Sequence, residues 1–409
     1  MDISYSWELV DSVFPYRRQE MKFRLSAKSV IDYLSEWNLC SQQEQDKFQI
    51  EPVAAKNFNL LVTFPDGQKF LVKQEQHNQE GKAAGELLSE WRIQEFLQHF
   101  PELSHLRSSI PEVLHFDAEN LIIVFKWLDD HRDLTDFYTK ENVFPTEMAS
   151  SIGTVLATLH RATFNRQDYQ EFFSQHSDNL PANQAPHLIR GLERIGPEVF
   201  GQVPPDGIKF FALYQRYDSL GQAIAELGNA FKPVCVTHND LKLNNILLNP
   251  HWEQPYEEIV RLIDWERSSW GDPAFDLGAL IAGYLQIWLN SLVVSQSLNI
   301  EESLRLATVP LEKVQPSIAA LTQAYFHTFP EILESRTDFL LRGVQFAGFA
   351  LIQQIQAAIQ YEKSFGNTGI AMLQVAKSLL CRPQKSMPTI FGTAADELIQ
   401  LSRPDAANV

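Results

Sequence analysis

The hydrophobic pattern of the first 127 residues changes its period several times. Residues 1 to about 45 are predicted to be helical, because SAKSVIDYLSEWNLC follows an N-cap serine with apolar residues at helical spacing. Between about 48 and 75, NFNLLVTF and QKFLVKQ have the pattern of two strands joined by a Pro-Asp-Gly turn. An amphipathic helix at 82–99 and two more strands in IPEVLHFDAENLIIVFKWL complete a small β-rich unit.

Beyond Leu128 the pattern is mostly helical. TEMASSIGTVLATLHRAT carries one apolar stripe, and a further helix is predicted at roughly 209–230. The intervening residues 165–207 are rich in Asn, Gln, Pro and Gly, which favours loops with short helices. Short strands are predicted in VCVT, NILLN and IVRLIDW. The segment from 274 to about 382 returns to helix, with a break near Thr308 to Pro316.

Composition narrows the class of protein. Of the 409 residues, 44% are hydrophobic and 21% are charged, as in an ordinary folded soluble protein. Cys40, Cys235 and Cys381 are scattered, which favours a reducing compartment and argues against a disulfide framework or a zinc site. The net charge of −17 argues against nucleic acid as a partner and favours a cationic substrate.

Two apolar stretches, Gly278 to Val294 and Phe339 to Ile359, resemble membrane spans in hydropathy. Both contain polar residues, among them Gln286 and Arg342, so we expect buried helices of a large domain instead. The first residues also lack the basic and apolar pattern of a secretion signal. The sequence therefore predicts no membrane partner and a cytoplasmic location.

The densest set of chemically useful side chains lies in VTHNDLKLNNILLN, between two apolar runs. It contains His238, Asp240, Lys242 and Asn245. One interpretation of this segment is a crowded polar turn without a catalytic role. Phosphoryl transfer needs a base near the attacking hydroxyl, oxygen ligands for a metal, and cations against the phosphates. Asp240 can accept or orient a hydroxyl proton, and the amide oxygen of Asn245 suits Mg²⁺.

A second carboxylate follows nineteen residues after Asn245. Asp264 ends the apolar strand of VRLIDWE. The spacing predicts a hairpin that would bring Asn245 and Asp264 side by side, where both could hold the same metal ion. Glu266 comes two residues later and is either a contact for a substrate cation or an exposed carboxylate.

Lys73 lies in the middle of the apolar strand FLVKQ. An unpaired ammonium is costly there, so Lys73 requires an anion. The helix at 82–99 offers three glutamates, of which Glu90 shares a face with Leu87 and Ile93. Glu90 is therefore the carboxylate most expected to point inward, toward Lys73.

In motif and order, the chain resembles the aminoglycoside phosphotransferase and choline kinase-like group. HNDLKLNN resembles the catalytic loop of the group, IDWE its metal-binding strand, and GDPAFDLGAL the segment that follows. IGTVLATLH and IPEVLHFDAENLIIVFKWL resemble its Leu-Ala-x-Leu-His helix and its interlobe strand pair. The resemblance runs in order over about 50 to 285. It implies an α+β, bilobal protein kinase-like fold with a small β-rich N-lobe and a larger helical C-lobe.

The resemblance also implies roles for the polar residues. Asp240 would be the catalytic carboxylate, with His238 bracing its loop, and the cofactors would be ATP and Mg²⁺. Asn245 and Asp264 would bind the magnesium, while Lys73 would contact the α- and β-phosphates and pair with Glu90. 

Further residues of the group would frame the nucleotide. Asp276 would brace the backbone of the catalytic loop from the next helix. The adenine would lie against the backbone of Phe125 to Trp127, over Leu247 and Ile263.

Two features depart from the pattern of the group. The phosphate-covering loop AAKNFNLL contains no glycine, and Asn57 and Asn59 occupy that place. Lys242 stands two residues after Asp240, where the group often carries His and where protein Ser/Thr kinases carry a Lys that contacts the γ-phosphate. By the same resemblance, residues 1–45 form an N-terminal extension, 46–127 the nucleotide-binding N-lobe, 128–385 the catalytic and substrate-binding C-lobe, and 386–409 a polar tail.

Three hypotheses of function remain open at this stage. The first is an ATP-dependent kinase that phosphorylates an alcohol group of a small molecule. The second is a kinase for Ser or Thr of a precursor peptide, since DWERSSWGDPAFDLGALIAGYLQIW resembles phosphotransferases of lanthipeptide and thioamitide biosynthesis and Lys242 fits that activity. The third is a pseudokinase that binds nucleotide as a scaffold, which the glycine-free loop leaves open.

Overall fold

The chain folds into two lobes around a cleft. A computed structural model describes residues 23–40, 48–76, 84–174, 185–193, 195–196, 203–254, 259–295 and 297–400. The smaller lobe comes first and contains a single antiparallel sheet, and the larger lobe is mainly helical. This arrangement is the bilobal α+β fold expected from the sequence.

The sheet of the smaller lobe has five strands in the order β1-β2-β3-β5-β4, all paired antiparallel. They are β1 (Gln49–Val53), β2 (Phe58–Thr63), β3 (Lys69–Gln74), β4 (Val113–Asp117) and β5 (Ile122–Lys126). The turn predicted between β2 and β3 is present, with Gly67 at φ 90°, a conformation that costs glycine little. Strand β1 was not predicted from the sequence.

The two faces of this sheet are covered by different helices. Helix α1 (Val30–Glu36) packs on the face that carries Leu60, Val62 and Val72. Helix α2 (Glu86–His99) packs on the opposite face. Because neighbouring strand residues point to opposite faces, Lys73 projects on the side of α2 and the cleft. The predicted N-terminal helix is shorter than expected, and residues 1–22 and 41–47 lie outside the described residues.

The smaller lobe leads into the larger one through short elements. A 3-10 helix, Pro101–Ser109, connects α2 to β4, and the two-residue strand β6 (Arg132–Asp133) follows β5. Helix α3 (Leu134–Glu141) begins where the Asp133 side chain accepts the N–H of Asp136 at 2.9 Å. Such a cap satisfies an N–H that the first helical turn leaves unpaired.

Thirteen more helices make up the described part of the larger lobe. They are α4 (Thr146–Thr163), α5 (Gln167–Ser174), α6 (Ala185–Glu193), α7 (Pro205–Tyr214), α8 (Asp218–Ala230), α9 (Pro273–Asn290), α10 (Ile300–Arg305), α11 (Leu311–Thr328), α12 (Glu331–Ser335), α13 (Phe339–Tyr361), α14 (Asn367–Cys381), α15 (Pro383–Phe391) and α16 (Ala395–Gln400). The two apolar stretches noted above are largely α9 and α13, buried against each other as expected. Among the described residues, no helix is long and apolar enough to cross a membrane.

Helix boundaries differ from the predictions in two places. The single helix predicted at 209–230 is broken into α7 and α8, because the chain turns at 215–217 to bury both helices. The predicted break at Thr308 to Pro316 is wrong at its far end, since Pro316 lies inside α11. Proline disfavours a helix interior, but here the packed lobe overrides that preference.

Part of the polar tail packs on the larger lobe. Helices α15 and α16 bury Met387, Ile390, Phe391 and Leu398. Residues 401–409 lie outside the described residues.

Four short strands lie where the larger lobe meets the cleft. Strand β7 (Cys235–Thr237) pairs with β10 (Ser269–Gly271), and β8 (Ile246–Leu248) pairs with both β6 and β9 (Val260–Leu262). The hairpin predicted between Asn245 and Asp264 is therefore confirmed. Strand β10 was not predicted, because three residues carry too little pattern.

Candidate active site

The loop after β7 is fixed by a buried carboxylate from another element. Asp276, in the first turn of α9, accepts the N–H of His238 at 2.7 Å and the N–H of Asn239 at 2.8 Å. His238 adds two contacts, because its Nε2 donates to the Ile263 carbonyl at 2.9 Å and its Nδ1 accepts the Asp240 N–H at 3.4 Å. The backbone that presents Asp240 is thus held from both sides.

Asp276 is itself held by a residue that the sequence analysis did not single out. His160, fully buried near the end of α4, places Nε2 3.3 Å from a carboxylate oxygen of Asp276. Its Nδ1 lies 2.8 Å from the hydroxyl of Tyr325 on α11. His160 is the histidine of the Leu-Ala-x-Leu-His motif, so the motif was noticed although this contact was not.

Two cations lie beside Asp240. Lys242 Nζ is 2.9 Å from Oδ1 and 3.0 Å from Oδ2 of Asp240. Arg267 Nη1 lies 3.9 Å from Oδ1. Lys242 was predicted from the sequence, but Arg267 was not. Arg267 lies three residues beyond Asp264, where no pattern distinguishes it from a surface arginine.

Asn245 and Asp264 meet at the end of the β8–β9 hairpin. The Asn245 carbonyl accepts the Ile263 N–H at 2.9 Å, and the Asn245 amide nitrogen donates to the Asp240 carbonyl at 2.8 Å. This contact occupies the amide nitrogen and leaves the amide oxygen for another partner. Asp264 adopts a left-handed backbone with φ 67°, which is uncommon for a residue with a side chain.

Lys73 connects the two lobes across the cleft. Its Nζ lies 3.1 Å from Glu90 Oε2 on α2 and 3.3 Å from Asp264 Oδ1. Burial alone would lower the pKa of Lys73, but the two carboxylates outweigh it and raise that pKa. Burial also raises the pKa of Glu90 to about 7, against the opposing effect of Lys73. The predicted pairing of Lys73 with Glu90 is present.

Glu266 lies elsewhere than the sequence suggested. Its side chain is buried beside Asp264 and is not exposed, and it does not line the acceptor-sized cavity described below. Burial, followed by the neighbouring carboxylates of Asp264, Glu86 and Glu90, raises the pKa of Glu266 to about 8, while Arg267 opposes this shift. The expectation of an exposed carboxylate is therefore wrong, whereas a contact of Glu266 with the substrate stays a prediction.

The strip proposed for adenine is only partly open. The N–H of Lys126 donates to the Glu112 carbonyl at 3.0 Å, and the N–H of Trp127 donates to the Lys69 carbonyl at 2.9 Å. Phe125 is buried with its ring 5.1 Å from Lys73 Nζ. Two backbone N–H groups of this strip are thus already hydrogen-bonded, because pairing with neighbouring strands and loops continues as far as Trp127.

Leu247 and Ile263 are half-buried on the β8–β9 hairpin. They alternate with Ile246, Leu248 and Leu262, which are buried in the core of the larger lobe. The two apolar side chains therefore lie on the opposite face of the hairpin, where a flat apolar group can pack.

Asn59 lies directly opposite Lys73 in the β2–β3 pairing. It is 7% exposed, and its side-chain oxygen is buried without a hydrogen-bond partner. A buried polar atom without a partner is costly, so this position fits a polar ligand beside Lys73. The oxygen atoms of Asn245 and Asp264 are likewise the hard ligands that Mg²⁺ prefers, so these two residues could hold that ion.

A cavity of about 1010 Å³ opens beside Asp240. Its described walls come from the Asp240 loop and from helices α3, α6, α9 and α13. Pockets for drug-sized molecules span roughly 300–1,000 Å³, so the cavity can hold a substantial molecule with one group against Asp240. The segment beyond residue 285, which sequence could not interpret, supplies much of the far wall.

The fold and this site together define a kinase-like class of enzyme. The sequence agrees, because residues 50–297 match the model of the phosphotransferase enzyme family (APH). The chain belongs to that family.

The relatives that resemble the chain are distant. It is 25% identical over 185 residues to the 4-hydroxytryptamine kinase of Psilocybe cyanescens, covering 43% of this chain and 46% of that protein. It is 31% identical over 107 residues to a choline/ethanolamine kinase of Homo sapiens, covering 25% of this chain and 26% of that protein. The chain thus spans about half or less of these relatives. The solved structure of a choline kinase from Streptococcus pneumoniae is 18% identical, with coverage of 86% and 98% and a TM-score of 0.41.

Proposed function

We propose that the protein transfers the γ-phosphate of ATP, with Mg²⁺, to an alcohol group of a small molecule. The observation that carries the proposal is the arrangement of Asp240. It lies on a rigid loop, in the wall of a large cavity, close to the end of the hairpin that carries Asn245 and Asp264. Phosphoryl transfer depends mostly on such positioning and on electrostatic stabilisation.

The roles of the residues follow from their positions. Asp240 accepts or orients the proton of the attacking hydroxyl, and His238 keeps the loop in place. Lys242 sits against Asp240 and can move to the γ-phosphate, because its side chain is 42% exposed. Asp276 is a positioning residue that acts through the backbone of His238 and Asn239.

The nucleotide lies in the cleft between the lobes. Lys73, oriented by Glu90, contacts the phosphates, and Asn59 offers a polar group beside it. The base packs over Leu247 and Ile263, near Phe125 and Trp127. Asn245 and Asp264 would hold Mg²⁺, which would supply positive charge against the phosphates.

A Ser/Thr-containing peptide is the second candidate acceptor. The observation that favours it is the position of Lys242 beside Asp240, since protein Ser/Thr kinases carry a lysine at this place of the loop. The relatives named above are, by name, kinases of small alcohols, so the small-molecule acceptor comes first.

The direct test is transfer of label from γ-labelled ATP with Mg²⁺, comparing wild type with Asp240→Asn. The acceptors are a panel of amino sugars, choline-like alcohols, uncharged alcohols and Ser/Thr peptides. Label on one class, reduced by roughly 10²–10⁴-fold in the variant, supports the proposal. Equal labelling by both proteins would overturn it. Tight binding of Mg²⁺-ATP without transfer to any acceptor would favour the scaffold hypothesis instead.

A further inference from the structure

The charged residues that line the described cavity are mostly basic, although the chain as a whole is acidic. Among the lining residues that the structure describes, Asp240 is the one carboxylate, and Lys242 already contacts it. The basic residues of the described lining are Lys242, Arg267 and His187. A net charge of −17 for the chain is therefore not reflected in this wall.

The rest of the wall is neutral. Helices α9 and α13 contribute carboxamides that can donate and accept hydrogen bonds, namely Gln286, Asn290, Gln353, Gln354 and Gln360. Apolar surface comes from side chains such as Phe211, Phe275 and Ala279. A molecule in the cavity thus meets apolar surface and uncharged polar groups. The two cations of the described wall, Lys242 and Arg267, lie beside Asp240, and Arg267 also lies 4.0 Å from Glu266, which is outside the described lining.

Positive charge beside Asp240 disfavours a cationic acceptor. Two like charges about 4 Å apart repel by about 1 kcal/mol in water and about 4 kcal/mol at an effective dielectric of 20. Arg267 presents a planar guanidinium whose side chain is 21% exposed, a group suited to carboxylates and other flat anions. A primary ammonium is bound most favourably by a carboxylate, and the described wall supplies one, Asp240, which Lys242 already contacts. A quaternary ammonium could instead pack on the aromatic rings of the wall, which are those of Tyr138, Phe211, Phe275 and Tyr361.

We infer that the cavity takes an uncharged or anionic alcohol with a largely apolar body, and that it discriminates against alcohols that carry a primary amine, such as amino sugars. The inference rests on the proposed function for the identity of the reacting group. It is the opposite of the expectation of a cationic substrate, which rested on the net charge of the chain alone. The reason is that the excess carboxylates lie outside the described lining of the cavity.

The test uses three fluorescent probes that share one dansyl group and differ in charge. They are dansylglycine, an anion, dansylamide, which is neutral, and dansylcadaverine, a cation. Each is titrated into the full-length protein at pH 7.5 without nucleotide, and blue-shifted emission reports binding to an apolar site. We expect dansylglycine and dansylamide to bind at least ten times more tightly than dansylcadaverine.

Matched variants locate the binding site. Ala279→Trp fills the cavity from α9 and should abolish the blue shift of dansylamide emission. Gln353→Trp fills it from α13 and replaces the first variant if that variant folds poorly. Arg267→Gln should weaken dansylglycine at least tenfold and leave dansylamide within about twofold. Circular dichroism checks that each variant is folded.

Several results would overturn the inference. They are tightest binding of dansylcadaverine, no binding of any probe, and binding that neither tryptophan variant reduces. None of these measurements uses ATP or Asp240, so a protein that fails as a phosphotransferase can still pass this test. An active phosphotransferase that prefers amines would fail the inference alone.

Discussion

Lys73 and Asp264 lie on opposite sides of the cleft, yet the ammonium of one is 3.3 Å from the carboxylate of the other. Glu90 approaches the same ammonium from α2 at 3.1 Å. One cation therefore links the sheet, its packing helix and the β8–β9 hairpin. Since Asp264 is also a proposed metal ligand, the separation of the lobes and the geometry of the metal site depend on the same contact.

Replacing Lys73 by methionine should reduce transfer sharply. The variant removes the cation that faces the phosphates and leaves Glu90 buried beside Asp264, so we expect kcat/KM for ATP to fall by roughly 100-fold or more. Steady-state kinetics with a fixed acceptor measure this change. Lys69→Met is the matched control, because Lys69 lies in the same strand and on the same face but pairs with Asp129. Equal effects of the two substitutions would contradict the prediction.

Asp276→Asn should uncouple the catalytic loop from α9. In the wild-type protein each oxygen of the Asp276 carboxylate accepts one backbone N–H. Asparagine has a single acceptor oxygen for these two N–H groups. We expect a loss of about 1–3 kcal/mol in the free energy of unfolding. We also expect kcat to fall about 10- to 100-fold because Asp240 is displaced, with little change in KM for ATP.

Denaturant unfolding and initial rates separate these two effects of Asp276→Asn. Asp218→Asn provides the control, since Asp218 is an exposed aspartate in the first turn of α8. An unchanged kcat in a destabilised Asp276 variant would show a purely structural role.

Gly278→Ala should destabilise the larger lobe, although alanine favours helix over glycine. An added Cβ would lie 2.6 Å from the Gly343 carbonyl oxygen and 2.8 Å from the Ala347 nitrogen, both on α13. The two helices would have to separate, at a cost of roughly 1–3 kcal/mol. Gly221→Ala is the control, because its Cβ would meet the Glu193 carbonyl at an ordinary 3.5 Å. Thermal unfolding should rank the control above wild type and the Gly278 variant below it.

Arg336→Leu should be among the more destabilising single changes in the larger lobe. Its guanidinium contacts both oxygens of the fully buried Asp272 at 2.7 and 2.8 Å and also donates to the Ala230 carbonyl. Removing it leaves a buried carboxylate without its cation, which costs about 3–5 kcal/mol. Arg342→Leu breaks the more exposed pair with Asp338 and should cost at most about 1 kcal/mol. Similar losses for both variants in urea unfolding would refute the argument.

His115 should make stability depend on pH in the mildly acidic range. Burial lowers the pKa of His115, against the opposing effect of Asp117, and the ring packs 4.1 Å from Trp37. The unfolded chain therefore binds this proton more readily than the folded one. The stabilisation from this group is present above about pH 6.5 and is lost as pH falls through the lowered value, by less than about 1 kcal/mol for a partly exposed ring.

His115→Gln should remove that part of the pH dependence. The comparison is between the loss of unfolding free energy from pH 7.5 to 5.5 in wild type and in the variant. His105→Gln, at an exposed site, should behave as wild type. A larger loss in the His115 variant than in wild type would give the opposite sign and disprove the assignment.

The sequence could predict the loop that carries Asp240, because the polar residues of this loop are close together along the chain. Asp240 and Asn245 are five residues apart, and Asp264 is brought back by one hairpin whose strands are visible as apolar runs. Lys73 could be paired with Glu90 because an ammonium inside an apolar strand requires an anion, and the next helix offered one carboxylate on the correct face.

Other contacts depend on packing that no short pattern encodes. Arg267 reaches Asp240, and His160 reaches Asp276, only after separate elements assemble. An exposed carboxylate was one of the two expectations for Glu266, but its side chain is buried near the carboxylates of Glu86 and Glu90 on α2. A break in the helical region was expected to reach Pro316, yet Pro316 lies inside α11, whose neighbouring residues Val314, Ser317 and Ile318 are buried. In each case tertiary contacts outweighed a local preference.

The core on the outer face of the sheet includes residues that precede the region matched by the family model. The family match starts at residue 50, whereas Leu25, Val30 and Leu34 already belong to the core that closes over β2 and β3. The side chain of Gln74, next to Lys73, receives the N–H of Leu25 at 2.8 Å and donates to the Phe23 carbonyl. The strand that carries Lys73 is thus held on its outer face by a segment that precedes the region matched by the family model. Relatives with a different leading segment can therefore share every motif and still position this lysine differently.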